Sequence, residues 1–413
     1  MFLHRKKKYI ISSGSLSLIA WQRLKRNRIA VVSMVFILFN ILIALLGYLI
    51  TPDSSPYANT QLPEIAAEKP GFRVKLLLLT KNETTEPVSW YHRMASGVKN
   101  PYTTVPVYNY KFTGDELEAE EYTGMQPNDG RLLRFKLADI AYPLMASVNP
   151  VMDKDSMVHF VTASGEQQSV GIAELRQTII EDHIVQKRYL LGTDRFGRDM
   201  LSQLMIGTRV SLSVGFISVF ISLLIGILLG SMAGFFRGWV DNVIMWFINV
   251  VWSIPTLLLV IAITFALGKG FWQIFIAVGL TMWVEVARVI RGQILGIREK
   301  EFVEAGRALG YRSPRIIFRH ILPNVMGPVI VVSAANFASA ILIEAGLSFL
   351  GIGVQPPMPS WGTMIRDHYA YIILDGAYLA LIPGFAIMMM VLAFMLIGNG
   401  LRDALDVKYI EKA

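Results

Sequence analysis

Six stretches of about 20 or more mostly apolar residues recur along this chain, near positions 30–50, 210–234, 243–267, 271–290, 325–349 and 378–400. A helix of about 20 residues crosses a hydrocarbon core of about 30 Å, so the pattern predicts an all-α membrane domain of six transmembrane helices. Only 17% of the residues are charged, against about 25% in soluble domains. Pro255 lies in the third stretch and Pro383 in the sixth; lipid-embedded helices tolerate proline where neighbours satisfy the freed carbonyls. The first stretch, Ala30 to Ile50, is about twice as long as a signal-peptide core of roughly 7–15 residues. Thr51-Pro52-Asp53 follows it instead of a small-residue cleavage pattern, so a retained helix is expected.

Charge orients these helices. Arg5, Lys6, Lys7, Lys8, Arg23, Lys25, Arg26 and Arg28 precede the first stretch, and Arg291, Arg298, Lys300, Arg307, Arg312, Arg315 and Arg319 lie between the fourth and fifth. Four crossings separate the two groups, so they share one side. The opposite short connections offer only Lys269 and Arg366. Lysine and arginine concentrate in cytoplasmic loops, which places both groups and both termini in the cytoplasm. The net charge of +8 then reflects orientation and calls for no nucleic-acid partner. The stretch from Ser15 to Arg26, with Leu16, Ile19, Trp21 and Leu24, is expected to lie along the inner lipid headgroups.

Residues 51–209 break the pattern, being polar, mixed in charge and too long for an ordinary loop. Strand-like runs at Val74–Leu79, Val105–Phe112 and Met157–Thr162 and a helix over Ile172–Ile184 predict an inserted extracytoplasmic α+β domain. The expected organisation is a cytoplasmic amphipathic segment at 1–29, the first transmembrane helix at 30–50 and the insert at 51–209. A core at 210–400 then carries helices two to six and the basic loop 291–324, and a cytoplasmic tail occupies 401–413.

An energy source of its own is missing. A phosphate-binding loop needs G-x-x-x-x-G-K-[ST], and Gly268-Lys269 is followed by Gly270. There is no H-E-x-x-H, the six histidines have no zinc spacing, and no cysteine or Gly-x-Ser-x-Gly occurs. No catalytic residue and no metal site is expected.

The stretch from Glu301 to Asn324, "EFVEAGRALGYRSPRIIFRHILPN", is the most distinctive part of the basic loop. A helix from Arg298 to Leu309 would align Phe302, Ala305, Gly306 and Leu309 as an apolar stripe with a small centre. Glu301, Glu304 and Arg307 fall on the polar side, where Glu304 and Arg307 can pair. Gly310 suits a left-handed stop, Ser313-Pro314 reads as a second helix start, and Pro323 is expected to end that helix. Periodicity alone leaves two readings, an amphipathic helix resting on headgroups and a docking helix.

Glu304-Ala305-Gly306, then Gly310, then Leu322-Pro323 resembles the cytoplasmic signature loop of permease subunits in ABC importers, with Gly306 where the signature has a second alanine. "LGTDRFGRDMLSQLMIGTRVSL" (191–212) and "EAGLSFLGIGVQPPMPSWGTMI" (344–365) resemble the second permease type of the dipeptide/oligopeptide branch. The resemblance covers residues 191–403. It implies the type I importer fold and a coupling helix docking on a separate ATPase through Glu301, Glu304, Ala305, Gly306, Arg307 and Ala308, with Gly310 shaping the turn. It further implies a homologous second permease, two ATP-binding cassette subunits carrying ATP and Mg, an extracytoplasmic substrate-binding protein, and residence in a bacterial inner membrane. One departure follows "GWVD" (238–241), where the family's Met-Arg-x-x-Asp becomes Met245-Trp246-Phe247-Ile248-Asn249 and leaves the contacts of Asp241 open.

Glu344 in the fifth stretch reads either as a pathway or gating residue or as a structural hydrogen bond to a neighbouring helix, and Trp361 as part of a capping segment or an aromatic belt. Glu285 and Arg288 are expected to pair at the membrane surface. Asp194, Arg195, Arg198 and Asp199 read as a solvated, capped segment without chemistry. Two other functions compete: an ion-coupled secondary transporter, which would predict inverted repeats, and a membrane-anchored sensor using 51–209. Relatives with this signature carry peptides, nickel chelates, glutathione or peptide-like antibiotics, and the residues do not select among them.

Overall fold

The structure, a computed structural model, describes residues 16–83, 88–268 and 270–405. The expected basic run Arg5–Lys8, the outward Lys269 and the end of the tail (406–413) lie outside the described residues. The chain forms two compact units. One takes Ser211–Val354 with the described parts of Met1–Ile41 and Phe385–Ala413; the other takes Leu42–Val210 and Gln355–Gly384.

The helical elements begin with α1 (Leu16–Arg26) and α2 (Arg28–Leu46). After α3 (Trp90–Ser96), α4 (Leu137–Ala141) and α5 (Ile172–Thr178) come α6 (Met200–Phe236), α7 (Gly238–Ser253), α8 (Thr256–Leu267) and α9 (Phe271–Ile297). Then follow α10 (Glu301–Ala308), α11 (Ser313–Arg315), α12 (Leu322–Phe349), α13 (Trp361–His368) and α14 (Tyr378–Leu405). Five of the described helices or helix runs are long and apolar enough to cross a membrane: α2, α6, α9, α11 to α12, and α14. Their exposed residues include Val32, Phe39, Phe220, Leu224 and Phe385, a surface suited to lipid.

The third expected span is corrected. Residues 243–267 are not one helix, because α7 and α8 meet at a bend of 97°. Ile254, the residue before Pro255, is extended at φ −95° and ψ 128°, as the proline ring requires of its predecessor. The sixth expected span keeps Pro383 inside a continuous α14. Pro323 does not end a helix either. A π-helical segment, Ile316–Ile321, joins α11 to α12 and leaves Pro323 inside one helical run, Ser313–Phe349.

Close packing of α6 on α9 comes from a glycine series that the sequence reading overlooked. Gly226, Gly230 and Gly234 recur every four residues along one face. A methyl group at Gly230 would sit 2.5 Å from the carbonyl oxygen of Ala287, and one at Gly226 would meet Val286 at 2.6 Å. Small residues at this spacing let membrane helices approach to backbone contact. The expected headgroup helix is also placed differently in part. Trp21 is exposed beneath the Lys25 ammonium, but Leu24 is buried with Ala30 and Ala404.

The second unit holds an antiparallel five-stranded sheet, in the order β4 (Leu132–Lys136), β3 (Glu116–Glu121), β2 (Tyr102–Thr113), β1 (Arg73–Thr80) and β8 (Ile184–Arg188). A three-stranded sheet joins β5 (Val151–Met152), β6 (Met157–Val161) and β7 (Gln167–Gly171). Strand alternation divides β1 between two cores. Leu77 joins Val107, Leu117, Leu137, Ile140 and Leu175 on one face, while Val74 and Leu76 join Leu62, Ile65 and Tyr189 on the other. The three runs expected as strands fall on β1, β2 and β6. The expected helix over 172–184 is α5 followed by a π-helical turn to His183.

Candidate functional site

The signature stretch folds as α10, a tight turn and α11. Val303 and Gly306 face inward and are buried, while Glu301, Phe302, Glu304, Ala305, Arg307, Ala308, Leu309 and Gly310 are exposed. Val303 anchors the helix in a core with Phe235, Ile290, Ile294, Ile316 and Ile321. The small-centred stripe expected to face outward is therefore divided. Phe302, Ala305 and Leu309 point out, joined by Ala308, but Gly306 lies 3.6 Å from the Tyr311 ring by the position of an added methyl. That distance and the 3.8 Å to Ile316 are ordinary contacts, so alanine, the signature's residue, fits there as well.

The turn closes on both of its expected features. Gly310 has φ +76°, which L side chains avoid. The Gly310 N–H donates to Arg307 O at 2.9 Å and the Tyr311 N–H to Gly306 O at 3.0 Å, the paired bonds of a Schellman stop. Three basic side chains tie this loop to the end of α6. Arg298 donates to Phe235 O, Arg237 pairs with Glu299 at 3.0 Å, and the Arg307 guanidinium lies 5.5 Å from the Phe235 ring centre. Arg307 thus reaches an aromatic face where pairing with Glu304 was expected. On α9, Arg291 grips Asp241 of α7 through two bonds of 2.5 and 2.7 Å, which answers the open question about Asp241. α10 is consequently joined through α9 and Phe235 to α6 and α7.

Other polar residues take places that differ from expectation. Glu285 is exposed and makes no ion pair with Arg288 among the described residues; the Arg288 guanidinium stacks 3.4 Å from the Trp252 ring centre. Glu344 is fully buried and accepts from the Ser348 hydroxyl at 2.7 Å, while Ser348 Oγ accepts the Val354 N–H at 3.2 Å. This chain of bonds fastens the end of α12 to the turn after it, within one helix end and not across to a neighbouring helix as the structural alternative expected.

In the second unit the segment 193–203 is a buried polar knot. Its expected solvation holds for Arg195, which is exposed, but not for Asp194, Arg198 and Asp199, which are buried with Thr193, Ser202 and Gln203. Asp194 accepts the Phe196 and Arg198 N–H groups at 2.9 Å each and the Arg198 Nε–H at 2.6 Å. Thr193 donates to Ile65 O, Arg198 to Asn59, and Gln203 to Tyr57 O. Asp199 accepts from Leu201 N–H and Ser202 Oγ–H, and Ser202 accepts the Asp53 N–H. Gly197, at φ +72°, lets the Leu62 carbonyl approach where a methyl would stand 1.7 Å away. Asp194 and Arg198 are four residues apart, but local sequence hides the partners 128 to 149 residues away: Ile65 for Thr193, Asn59 for Arg198, Tyr57 for Gln203 and Asp53 for Ser202. Removing one partner of a buried pair strands the other, so Arg198→Ala is expected to lower stability by about 3–5 kcal/mol. A denaturant titration of the purified chain checks this; a loss below about 1 kcal/mol would refute the buried pair.

Trp361 is buried against Gly207, with its indole N–H donating to Leu204 O at 3.0 Å, so it packs on α6 and does not stand in an aromatic belt. His368, seven residues on, is also buried. Its Nδ1 donates to Met364 O at 2.7 Å and its Nε2 accepts the Arg195 N–H at 3.4 Å, an arrangement only the neutral ring can make. Burial holds its pKa below 6.5, against the pull of Asp194 and Asp367 and with a lesser push from Arg195. A base with a depressed folded pKa binds protons more tightly when unfolded. Its contribution is therefore complete above the unfolded value of 6.5 and is lost as pH falls through the folded value. Melting midpoints are expected to fall between pH 7 and 5 in the native chain and to fall less in His368→Gln; parallel curves would exclude His368 as the source.

Residues 226–411 match the family described as "Binding-protein-dependent transport system inner membrane component", and residues 15–70 match "N-terminal TM domain of oligopeptide transport permease C". The chain is 43% identical over 217 residues to the dipeptide transport system permease protein of Alkalihalophilus pseudofirmus, covering 52% of this chain and 71% of that protein. It is 39% identical to the glutathione transport system permease protein of Pectobacterium atrosepticum, covering 53% and 72%. Identity is also 39% to the oligopeptide transport system permease protein of Bacillus subtilis, covering 54% and 72%.

Proposed function

The chain belongs to the binding-protein-dependent inner membrane permeases of ABC importers, and we propose that it carries short peptides or peptide-like solutes as half of a type I translocation pathway. The exposed face of α10, with Phe302, Ala305, Ala308 and Leu309 clear of the core, carries this reading. An apolar face with two alanines between bulky ends suits insertion in a groove on a separate ATPase, which holds ATP and Mg. Closure of two such ATPases pushes α10, and the ties from Arg298, Arg307 and Arg291 pass the push to α6 and α7. A second, homologous permease completes the pathway, and an external binding protein delivers the solute.

This reading sets α10 and both termini in the cytoplasm and the sheet-bearing residues outside, supported by the basic residues at Arg23–Arg28 and Arg291–Arg319. Peptide as cargo rests on the relatives' dipeptide, oligopeptide and glutathione systems. The test is affinity purification of the tagged chain from its own host. A co-purifying ATPase and a second permease are expected, with ATP-dependent peptide uptake by the reconstituted complex. Uptake driven by an ion gradient with no ATPase bound would overturn the proposal.

A further inference from the structure

The second unit contains a cleft of about 530 Å³, within the range of small-molecule sites of roughly 300–1,000 Å³. It lies in the stretch between the two family matches, residues 71–225, with part of its wall from residues 52–62. Its apolar side includes Leu76, Leu78 and Val185 of β1 and β8. Binding sites commonly combine such a wall with a few convergent polar groups.

The charges around the cleft are unbalanced. Arg93, Lys99 and Lys187 line it, and none has a carboxylate within ion-pair distance among the described residues. Lys187 is half-buried, with its ammonium 4.9 Å from the Tyr189 ring centre. Two acids, Asp53 and Asp199, also line the cleft, and Asp199 lies within electrostatic reach of Lys187; hydrogen bonds from neutral groups fix their oxygens. Asp53 accepts the Ser55 and Thr60 N–H groups and the Thr60 hydroxyl, and Asp199 accepts from Leu201 and Ser202. Among the described residues, three cations thus line the cleft against two carboxylates, and none of the three is held in a direct ion pair.

We propose that this cleft binds a short peptide by its free terminal carboxylate, with Lys187 as the principal partner and Lys99 and Arg93 at the rim. The apolar wall takes the adjoining side chains. The choice of a peptide over another carboxylate rests on the transport reading; the anion site itself does not. The insert would then hold solute directly, in addition to any external binding protein.

Isothermal titration of trialanine and of trialanine amide into the full-length chain in nanodiscs tests this. Trialanine is expected to bind at least tenfold more tightly than the amide. Lys187→Gln is expected to weaken trialanine at least tenfold while leaving the amide unchanged. Equal binding of acid and amide, no binding of either, or a Lys187→Gln loss common to both would overturn the proposal. Displacement of trialanine by inorganic phosphate at equal strength would overturn the peptide assignment. Peptide uptake by the reconstituted complex is measured in parallel: uptake without binding here refutes the cleft alone, and an ATPase-bound complex without uptake refutes the transport reading.

Discussion

Gly230→Ile is expected to cost the membrane unit at least about 3 kcal/mol, at or above the upper end of measured overpacking effects. An added methyl at Gly230 meets the Ala287 carbonyl oxygen at 2.5 Å and its Cα at 2.9 Å. These are backbone atoms of a neighbouring helix, so no side-chain rotation relieves the contact. α6 and α9 must separate, and the contacts made at Gly226 and Gly234 go with them. Gly292→Ala is the control, since that glycine on α9 is exposed and has open space around it. Melting of the detergent-solubilised variants decides the matter. A Gly230→Ile midpoint equal to the native one would remove the close-packing account.

The second large effect concerns coupling. Leu309 is 69% exposed and Phe302 42% exposed, and neither is needed by the core beneath α10. Leu309→Asp combined with Phe302→Asp is expected to reduce ATP-dependent uptake and ATPase capture by about 100-fold, while the melting midpoint stays within a degree or two. The magnitude follows from interface anchors, whose truncation costs about 2–4 kcal/mol. Gly306→Ala should leave both readouts unchanged, because its methyl meets Tyr311 and Ile316 at ordinary contact distances. Gly306→Trp is uninformative about docking, since an inward-facing indole would disturb the packing first. Full capture of the ATPase by the double variant would refute α10 as the docking face.

Much of the helical architecture was legible because lipid imposes a length on each apolar run. Five of the six runs contain a long helix, and the remaining one, the third, bends at Pro255, a residue whose effect depends on whether its neighbours accept a bend. The signature stretch was legible as helix, stop and helix because the backbone bonds of the helix and of its Gly310 stop run within Lys300–Tyr311. The direction of Gly306 was not legible. At α-helical spacing it shares a stripe with both Phe302 and Val303, and only the core under Val303 decides which side is inward. Arg307 and Glu304 had the spacing for a pair, but the Phe235 ring, about 70 residues away, presented another partner.

The division between sequence and tertiary structure follows the range of the interactions. Hydrophobic length, charge asymmetry and the glycine stop act over one helix or one turn, so composition and order alone determined a multi-pass membrane chain with a helical loop at 301–324. The polar knot at 193–203 was decided only in three dimensions. Asp194, Arg198 and Asp199 look solvated in isolation and become buried because residues 53–68 supply carbonyls and N–H groups from far along the chain. The second unit likewise recruits Gln355–Gly384, which no local pattern announces. Burial depends on what packs over a residue, and that covering comes from distant chain.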